Sequence, residues 1–187
     1  MWTVVQSIAA CISTFAAVCA VIITVNSWKQ QEAYKRPYFS IKNPGIRELP
    51  VSPPYRIIIP FENVGVRPAS NFVGRICIID ANIKSNSEPI YTFDFSIAND
   101  IASGDPTPWY NDTLQLASDV PPCYIVFAIK YEDLILKRWF PQIFVMKWGG
   151  VANKKTQLDF VHTSIEEKQK VVDYLKNRFK EFTEKQG

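Results

Sequence analysis

The feature of this sequence that most constrains its fold is an uncharged stretch near the N-terminus. No Asp, Glu, Lys, Arg or His occurs from Trp2 to Val25. At roughly 1.5 Å per residue, a helix of this length is about 36 Å long, enough to cross a hydrocarbon core of about 30 Å. We therefore predict that residues 1–28 form a transmembrane helix.

The flanks of this stretch are typical of a permanent membrane anchor. Trp2 and Trp28 lie at its two ends, and indole side chains prefer the headgroup layer. Lys and Arg are absent before it, whereas Lys29, Lys35 and Arg36 follow it. The positive-inside rule then predicts a single-pass protein of the inner (plasma) membrane with its soluble domain in the cytoplasm.

Two other interpretations of the N-terminus fit less well. A cleaved secretory signal begins with a basic region, but "MWTVVQS" carries no basic side chain, and the apolar run is longer than such signals have. The residues "IAA" before Cys11 resemble a lipoprotein signal, but that assignment leaves the apolar residues after Cys11 unexplained.

Small residues recur along the predicted span at a spacing that allows close helix packing. They include three pairs separated by three residues, which form a common association surface in lipid. The pattern predicts self-association or pairing with another membrane protein, although Ala and Ser are also simply frequent in spans. The residues are Ala9, Ser13, Ala16, Ala17 and Ala20.

The rest of the chain has mainly β character. Residues 29–36 extend the helix as a juxtamembrane stalk, which ends before Pro37 because a residue preceding proline disfavours the α conformation. No helical pattern interrupts the following strands, so we predict a β-sandwich over residues 37–161. The seven predicted strands are 37–42, 55–62, 71–80, 89–95, 123–132, 137–148 and 156–161.

One local pattern resembles a known type of domain. In "FENVGVRPASNF", the residues Asn63, Gly65, Pro68 and Ala69 resemble the corner between consecutive strands of bacterial immunoglobulin-like modules. The hairpin "IKYEDLILKRW" adds to the likeness. The chain thus resembles uncharacterised bacterial single-pass membrane proteins that carry an immunoglobulin-like β-sandwich, which implies a fold rather than an activity.

The domain cysteines depart from the antibody pattern. No Trp lies about a dozen residues after Cys77, and Pro121 stands two residues before Cys123 where a Tyr is typical. In a cytoplasmic domain both cysteines would stay reduced, whereas in an external domain they could form a disulfide with each other.

A long stretch from 96 to 119 lacks regular signals, and such connections are usually functional or partly disordered. We predict that it forms a loop that binds a partner. The residues of this loop that we expect to contact the partner are Asp100, Asp105, Trp109, Tyr110 and Asp112.

The chain ends in a predicted amphipathic helix, residues 162–187. Ser164 and Glu167 have the spacing of a capping box. The helix is expected to pack on the sandwich or the stalk, with a coiled-coil seam or a docking helix as alternatives. Its predicted seam consists of Ile165, Val172, Leu175, Phe179 and Phe182.

Charge varies along the chain. Residues 29–75 hold eight Lys or Arg against three acids, 80–119 hold seven acids against Lys84 alone, and 130–155 hold six basic residues against two acids. The first segment could face anionic lipid while the acidic one points away, or the charges could simply solvate different faces. The acidic middle segment argues against nucleic acid as a ligand.

Catalytic chemistry is poorly represented. His162 is the only histidine, and no Gly-rich phosphate loop, C-x-x-C or paired-histidine motif occurs. The oxygen-bearing side chains between Asn99 and Asp112 match no EF-hand spacing, so no metal is expected. We predict a non-enzymatic protein without a cofactor.

Together these features predict a membrane-anchored module that binds a protein partner or senses a signal. The alternative is a membrane effector whose span oligomerises and permeabilises the bilayer when the sandwich receives a cue. An outward-facing envelope module is a third interpretation.

Overall fold

The computed structural model describes residues 2–50, 55–84, 87–152, 155–156 and 160–183. The chain divides into two compact units, residues 1–36 and 37–187.

The first unit is a single helix, α1 (Trp2–Lys35). Within it, Ala9–Glu32 is long and apolar enough to cross a membrane. The side chains of Thr14 and Thr24 donate hydrogen bonds to backbone oxygens four residues earlier, at 2.9 and 2.8 Å. Because both hydroxyls are satisfied within the helix, they add little to the cost of placing it in lipid.

The second unit is mainly β, as predicted. All the strand pairs described in it are antiparallel. The strands are β1 (Phe39–Ile41), β2 (Gly45–Glu48), β3 (Tyr55–Asn63), β4 (Ser70–Asp80), β5 (Tyr91–Ile97), β6 (Pro106–Leu114), β7 (Cys123–Asp133), β8 (Arg138–Trp148), β9 (Val151–Ala152), β10 (Lys155–Thr156) and β11 (Phe160–His162).

The strands form two facing sheets. In the first sheet, β6 pairs with one edge of β3, while β1 and β2 share the other edge. In the second sheet the order is β11-β8-β7-β4-β5. A short hairpin of β9 and β10 lies between β8 and β11 in the chain.

A proline explains why the outer edge of the first sheet is divided into β1 and β2. Pro60 lies in β3, and its carbonyl accepts a hydrogen bond from the Lys42 backbone N–H at 2.9 Å. Since the N and O of one strand residue point to the same side, the missing N–H of Pro60 also faces this edge. A strand on this edge therefore lacks one backbone hydrogen-bond donor in β3 at the point where β1 ends.

The main core lies between the two sheets. Strand β3 alternates buried and half-buried residues along its whole length, and its buried side chains meet those of β4 and β7. The rings of Phe61 and Phe72 stack across the interface with centroids 5.0 Å apart. The central strands β4 and β7 are buried on both faces near one end, which matches their continuous apolar sequences.

The outer face of the second sheet is covered by the C-terminal helices α2 (Ile165–Arg178) and α3 (Lys180–Thr183). The predicted capping box is confirmed, since the Ser164 side chain accepts from the Glu167 N–H at 3.1 Å and the Glu167 carboxylate accepts from the Ser164 N–H at 2.9 Å. Residues 184–187 of the predicted helix lie outside the described residues.

An arginine holds α3 against the sheet. Arg75 Nη2 donates to Asp94 at 2.7 Å, and its Nη1 donates to Glu181 at 2.8 Å. The guanidinium also lies 4.6 Å from the centroid of the Phe179 ring. The hydrogen bonds from Arg75 lower the pKa of the Asp94 carboxyl.

The predicted helix seam was partly wrong. Leu175 and Phe182 are buried, but Val172 and Phe179 are only partly buried, and Ile165 is 89% exposed. The buried face contains Val171 and Tyr174 instead. At about 100° per residue, Ile165 lies roughly 120° round the helix from Val171, which turns it away from the sheet.

The predicted loop at 96–119 was also wrong over much of its length. Residues 106–114 form β6, an edge strand of the first sheet. The short strand β2 was not predicted. The single strand predicted at 156–161 is represented by parts of β10 and β11, while residues 157–159 lie outside the described residues.

Candidate functional sites: an apolar helix and a side groove

The predicted anchor residues occupy the ends of α1. Trp2 and Trp28 are exposed, and about 39 Å of helix separates them at 1.5 Å per residue. Lys29 and Lys35 belong to the last two turns of the helix, and Arg36 follows it directly. The small residues predicted for helix association are all exposed.

The residues predicted to bind a partner do not converge on one site. Asp100 accepts a hydrogen bond from the Ser70 hydroxyl, and Asp105 is exposed in the loop before β6. Trp109 turns inward, with its ring 4.8 Å from that of Phe95.

The other two predicted residues lie on the outer face of the first sheet. Asp112 accepts two hydrogen bonds from Arg56, and the guanidinium lies 5.1 Å from the centroid of the Tyr110 ring. The hydrogen bonds from Arg56 lower the pKa of Asp112. This ion pair joins β3 to β6. Both oxygens of the Asp112 carboxylate are therefore already engaged by Arg56.

These positions also separate the carboxylates of residues 99–112 from one another. Asp105 precedes β6 and Asp112 lies near its far end, so about seven strand residues, roughly 23 Å, separate them. Among the described residues, no group of three or more His, Cys, Asp or Glu side chains could hold a metal ion.

The two domain cysteines lie on opposite faces of the second sheet. Cys123 belongs to the core between the sheets, whereas Cys77 belongs to the layer under α2. Both are unpaired and buried, and desolvation raises the pKa of each thiol to about 12. The structure therefore rules out the bridge left open by the sequence, because the two side chains point away from each other.

A groove with a volume of about 1320 Å³ lies at one side of the sandwich. Strands β1 and β2 form one wall, and β8 and β11 form the other. Ile41, Phe144, Met146 and Phe160 contribute apolar side chains to its lining. We call this surface the side groove.

The side groove exists because the edge of the second sheet is incompletely paired. In the described part of the chain, β11 pairs only with Met146–Trp148, so the outer edge of β8 from 138 to 145 has no neighbouring strand. The Thr163 hydroxyl donates to the Val145 carbonyl at 3.2 Å, so one backbone acceptor of this edge already has a partner.

A glutamine limits the groove at one end. The side chain of Gln142 donates to the Phe39 carbonyl at 2.7 Å and accepts from the Phe39 N–H at 3.1 Å. Gln142 thus joins β8 to β1 in the manner of a backbone pair. Beyond it the two walls separate, and the groove opens.

The rim of the side groove is mainly cationic. Lys42, Arg47 and Lys168 line it, together with His162 and the single acid Glu48. Lys42 is paired with Glu62, and Glu48 accepts a hydrogen bond from the Thr156 N–H at 3.0 Å. Among the described residues neither Arg47 nor Lys168 has an acidic partner, so these two cations remain available to a ligand.

No signal in the sequence identified this groove. Its walls come from strands that are distant in the chain, and its opening depends on where β11 stops pairing with β8. His162 was noted only as the lone histidine, and it lies exposed on the rim.

The fold and these surfaces define a two-sheet β-sandwich carrying an N-terminal apolar helix and a C-terminal helical layer. A comparison with models of known protein families gives no match, and neither does a comparison with curated protein sequences.

Proposed function

We propose that this protein is a membrane-anchored, non-enzymatic module that binds an extended segment of a partner protein in the side groove. The observation that carries the proposal is that one groove combines an apolar lining with two cations and a strand edge that have no acidic partner and no neighbouring strand, respectively, among the described residues. Backbone groups at such an edge can pair with an added strand, while the apolar lining accepts alternate side chains. The cations favour a segment that also carries Asp or Glu.

The strand order supports an immunoglobulin-like assignment for this module. The first sheet contains β1/β2, β3 and β6, and the second contains β5, β4, β7, β8 and β11. The chain crosses between the sheets from β3 to β4, from β5 to β6 and from β6 to β7, and such crossings are typical of sandwiches of that class.

Photo-crosslinking in native membranes tests the proposed binding site. A photoreactive amino acid at His162, on the groove rim, should give a discrete adduct with a partner protein. The same amino acid at Ser118, in the exposed connection between β6 and β7, should not.

Charge reversal then identifies the contribution of the groove. The double variant Arg47→Glu/Lys168→Glu should abolish the adduct, whereas Lys170→Glu, a matched change two residues along α2, should preserve it. The proposal would be contradicted if the single variant Lys170→Glu also abolished the adduct. Equal adduct yields from positions 162 and 118 would contradict it as well.

We infer from the basic residues after α1 that the module faces the cytoplasm at the inner membrane. A reporter that works only in the cytoplasm should be active when it is fused to the C-terminus of this chain. If instead a periplasmic reporter is the active one, the orientation is reversed.

The alternative effector function rests on the small-residue face of α1. Expression in cells, followed by a dye-leakage assay, separates it from the anchored module. Leakage that disappears when Ala16 and Ala20 are replaced by Leu would favour the effector, while growth without leakage favours the module.

A further inference from the structure

The chain enters the sandwich at one end. Here the Pro37 carbonyl accepts from the Tyr131 hydroxyl at 2.8 Å, and the Tyr38 carbonyl accepts from the Val64 N–H at 2.7 Å. The β3–β4 loop and the β7–β8 turn lie at this same end. A buried ion pair between Arg67 and Asp133, 3.3 Å long, joins them. We call this surface the entry end.

The entry end carries four exposed aliphatic side chains. Val64 and Val66 lie in the β3–β4 loop with exposed fractions of 49% and 67%, and Leu134 and Ile135 lie in the β7–β8 turn with 46% and 66%. Single exposed aliphatic residues are ordinary, but four on two adjoining loops form a patch.

Hydrogen bonds hold these side chains outward. The Asp133 carboxylate is fully buried and accepts from the N–H groups of Ile135 and Leu136 at 2.9 and 3.1 Å. In the other loop, Asn63 is fully buried, and its side-chain oxygen accepts from the Gly65 N–H at 3.0 Å. The loops are therefore built with their polar groups inside and their aliphatic tips outside.

The charge around the patch is uneven. Lys137 and Arg138 follow Leu136 and are exposed, and the Lys130 ammonium lies 5.3 Å from the centroid of the Trp139 ring. Besides the buried Asp133, the acids of this end include Glu132, which accepts a hydrogen bond from the Asn71 side chain at 2.6 Å, and two residues of the β5–β6 loop, Asp100, which is bonded to Ser70, and the exposed Asp105. Aliphatic tips beside exposed cations are the combination that favours an anionic lipid surface.

The connection between the apolar segment and the sandwich is short. Pro37 follows Glu32, the last residue of the apolar segment, by five residues. Five residues reach at most about 18 Å even when fully extended. If that segment spans a bilayer, the entry end cannot be far from the headgroups.

We propose that the entry end docks on the anionic lipid surface of the bilayer that α1 spans, with Val64, Val66, Leu134 and Ile135 in the headgroup layer and Lys137 and Arg138 beside lipid phosphates. The proposal rests on the anchoring part of the proposed function and is independent of the side groove. A bilayer is favoured over a protein partner because the five-residue connection limits the distance between Pro37 and a membrane that α1 spans.

Site-specific fluorescence in vesicles tests the proposal. The full chain, with Cys11 and Cys19 replaced by Ala, carries an environment-sensitive dye on an introduced cysteine, Ile135→Cys or Val66→Cys. It is reconstituted in phosphatidylcholine vesicles containing phosphatidylglycerol, with brominated acyl chains as the quencher. Ser118→Cys at the opposite end of the sandwich and Ile23→Cys within α1 are the control positions.

We expect bromolipid quenching at positions 135 and 66 to exceed that at 118 at least two-fold, and Lys137→Glu/Arg138→Glu to reduce it. Quenching at 135 no greater than at 118, with position 23 fully quenched, would overturn the lipid surface and leave the anchor intact. Failure of quenching at position 23 would overturn the anchor itself.

Two further results would also count against the proposal. A blue-shifted dye at position 135 without bromolipid quenching would show that protein, including a second copy of this chain, covers the patch. Equal quenching in vesicles of phosphatidylcholine alone would overturn the requirement for an anionic surface.

Discussion

At the scale of single residues, the Asn63 side chain forms hydrogen bonds to segments that are distant from it in the sequence. Its amide nitrogen donates to the carbonyls of Arg67 and Ile101, at 2.7 and 3.1 Å, and its side-chain oxygen accepts from the N–H groups of Tyr38 and Gly65. One buried side chain therefore ties the chain entry, the β3–β4 loop and the β5–β6 loop together.

Removal of this side chain should be costly. Asn63→Ala leaves several backbone groups without partners, and each unsatisfied buried group costs about 1–3 kcal/mol. We expect the free energy of unfolding to fall by about 3 kcal/mol, measured by denaturant titration of the full chain in detergent. The control Asn82→Ala, at an exposed position, should change stability by less than about 0.5 kcal/mol. Equal effects of the two variants would contradict this role.

The buried thiols give a second prediction at this scale. Because burial raises the pKa of Cys77 and Cys123 to about 12, both stay protonated at pH 8, and the thiolate is the reactive form. A thiol reagent should modify them only after denaturation, and a rise from pH 8 to pH 10 should change this little. Peptide mass spectrometry provides the readout. Rapid labelling of the folded chain, or a Cys77–Cys123 crosslink on mild oxidation, would be inconsistent with this arrangement.

The sequence predicted the turn at Asn63 but not its partners. The spacing of Asn63, Gly65 and Pro68 indicates a corner through local backbone preferences alone. Tyr38 and Ile101 lie 25 and 38 residues away, and only the completed sandwich brings their backbone groups to this side chain.

At the scale of secondary-structure elements, the docking of α2 is the feature most open to measurement. Leu175 is buried under the helix, whereas Ile165 is exposed at its start. Leu175→Ala should lower the free energy of unfolding by about 2–5 kcal/mol, because it leaves a cavity against the sheet.

Ile165→Ala is the matched control for that variant. It should change stability by less than about 0.5 kcal/mol, although both residues belong to the apolar pattern of the sequence. A comparable loss from Ile165→Ala in the same denaturant titration would show that the helix uses the predicted seam after all.

Strand β6 shows why local patterns missed an element. Pro106, Pro108 and the Asn-Asp pair at 111–112 read as loop residues. The strand nevertheless forms because β6 pairs with no strand other than β3 in the described part of the chain, and an edge strand tolerates proline. Pro108 faces Pro60 across the pair, at a position where neither strand needs an N–H donor.

At the scale of the whole molecule, strand pairing rearranges the charge pattern of the sequence. Arg56 and Arg75 belong to the basic first segment, and they pair with Asp112 and Asp94 of the acidic middle segment. These two ion pairs place part of the basic first segment against the acidic middle segment across β3–β6 and β4–β5.

The sequence thus predicted the classes of structure more readily than their arrangement. The apolar helix, the β-rich unit and the capped C-terminal helix follow from local periodicity and spacing. The side groove and the entry end depend on which strands pair and where the pairing stops, which are properties of long-range contacts.

Both proposals depend on α1 holding the protein in a membrane. Alkaline carbonate extraction of membranes from cells expressing the full chain, followed by intact mass measurement, tests it most directly. We predict an uncleaved chain that stays in the pellet, and release of the variant Val18→Lys/Ile22→Lys, which places two charges in the apolar segment. Recovery of a soluble chain lacking about its first 20 residues would contradict the account.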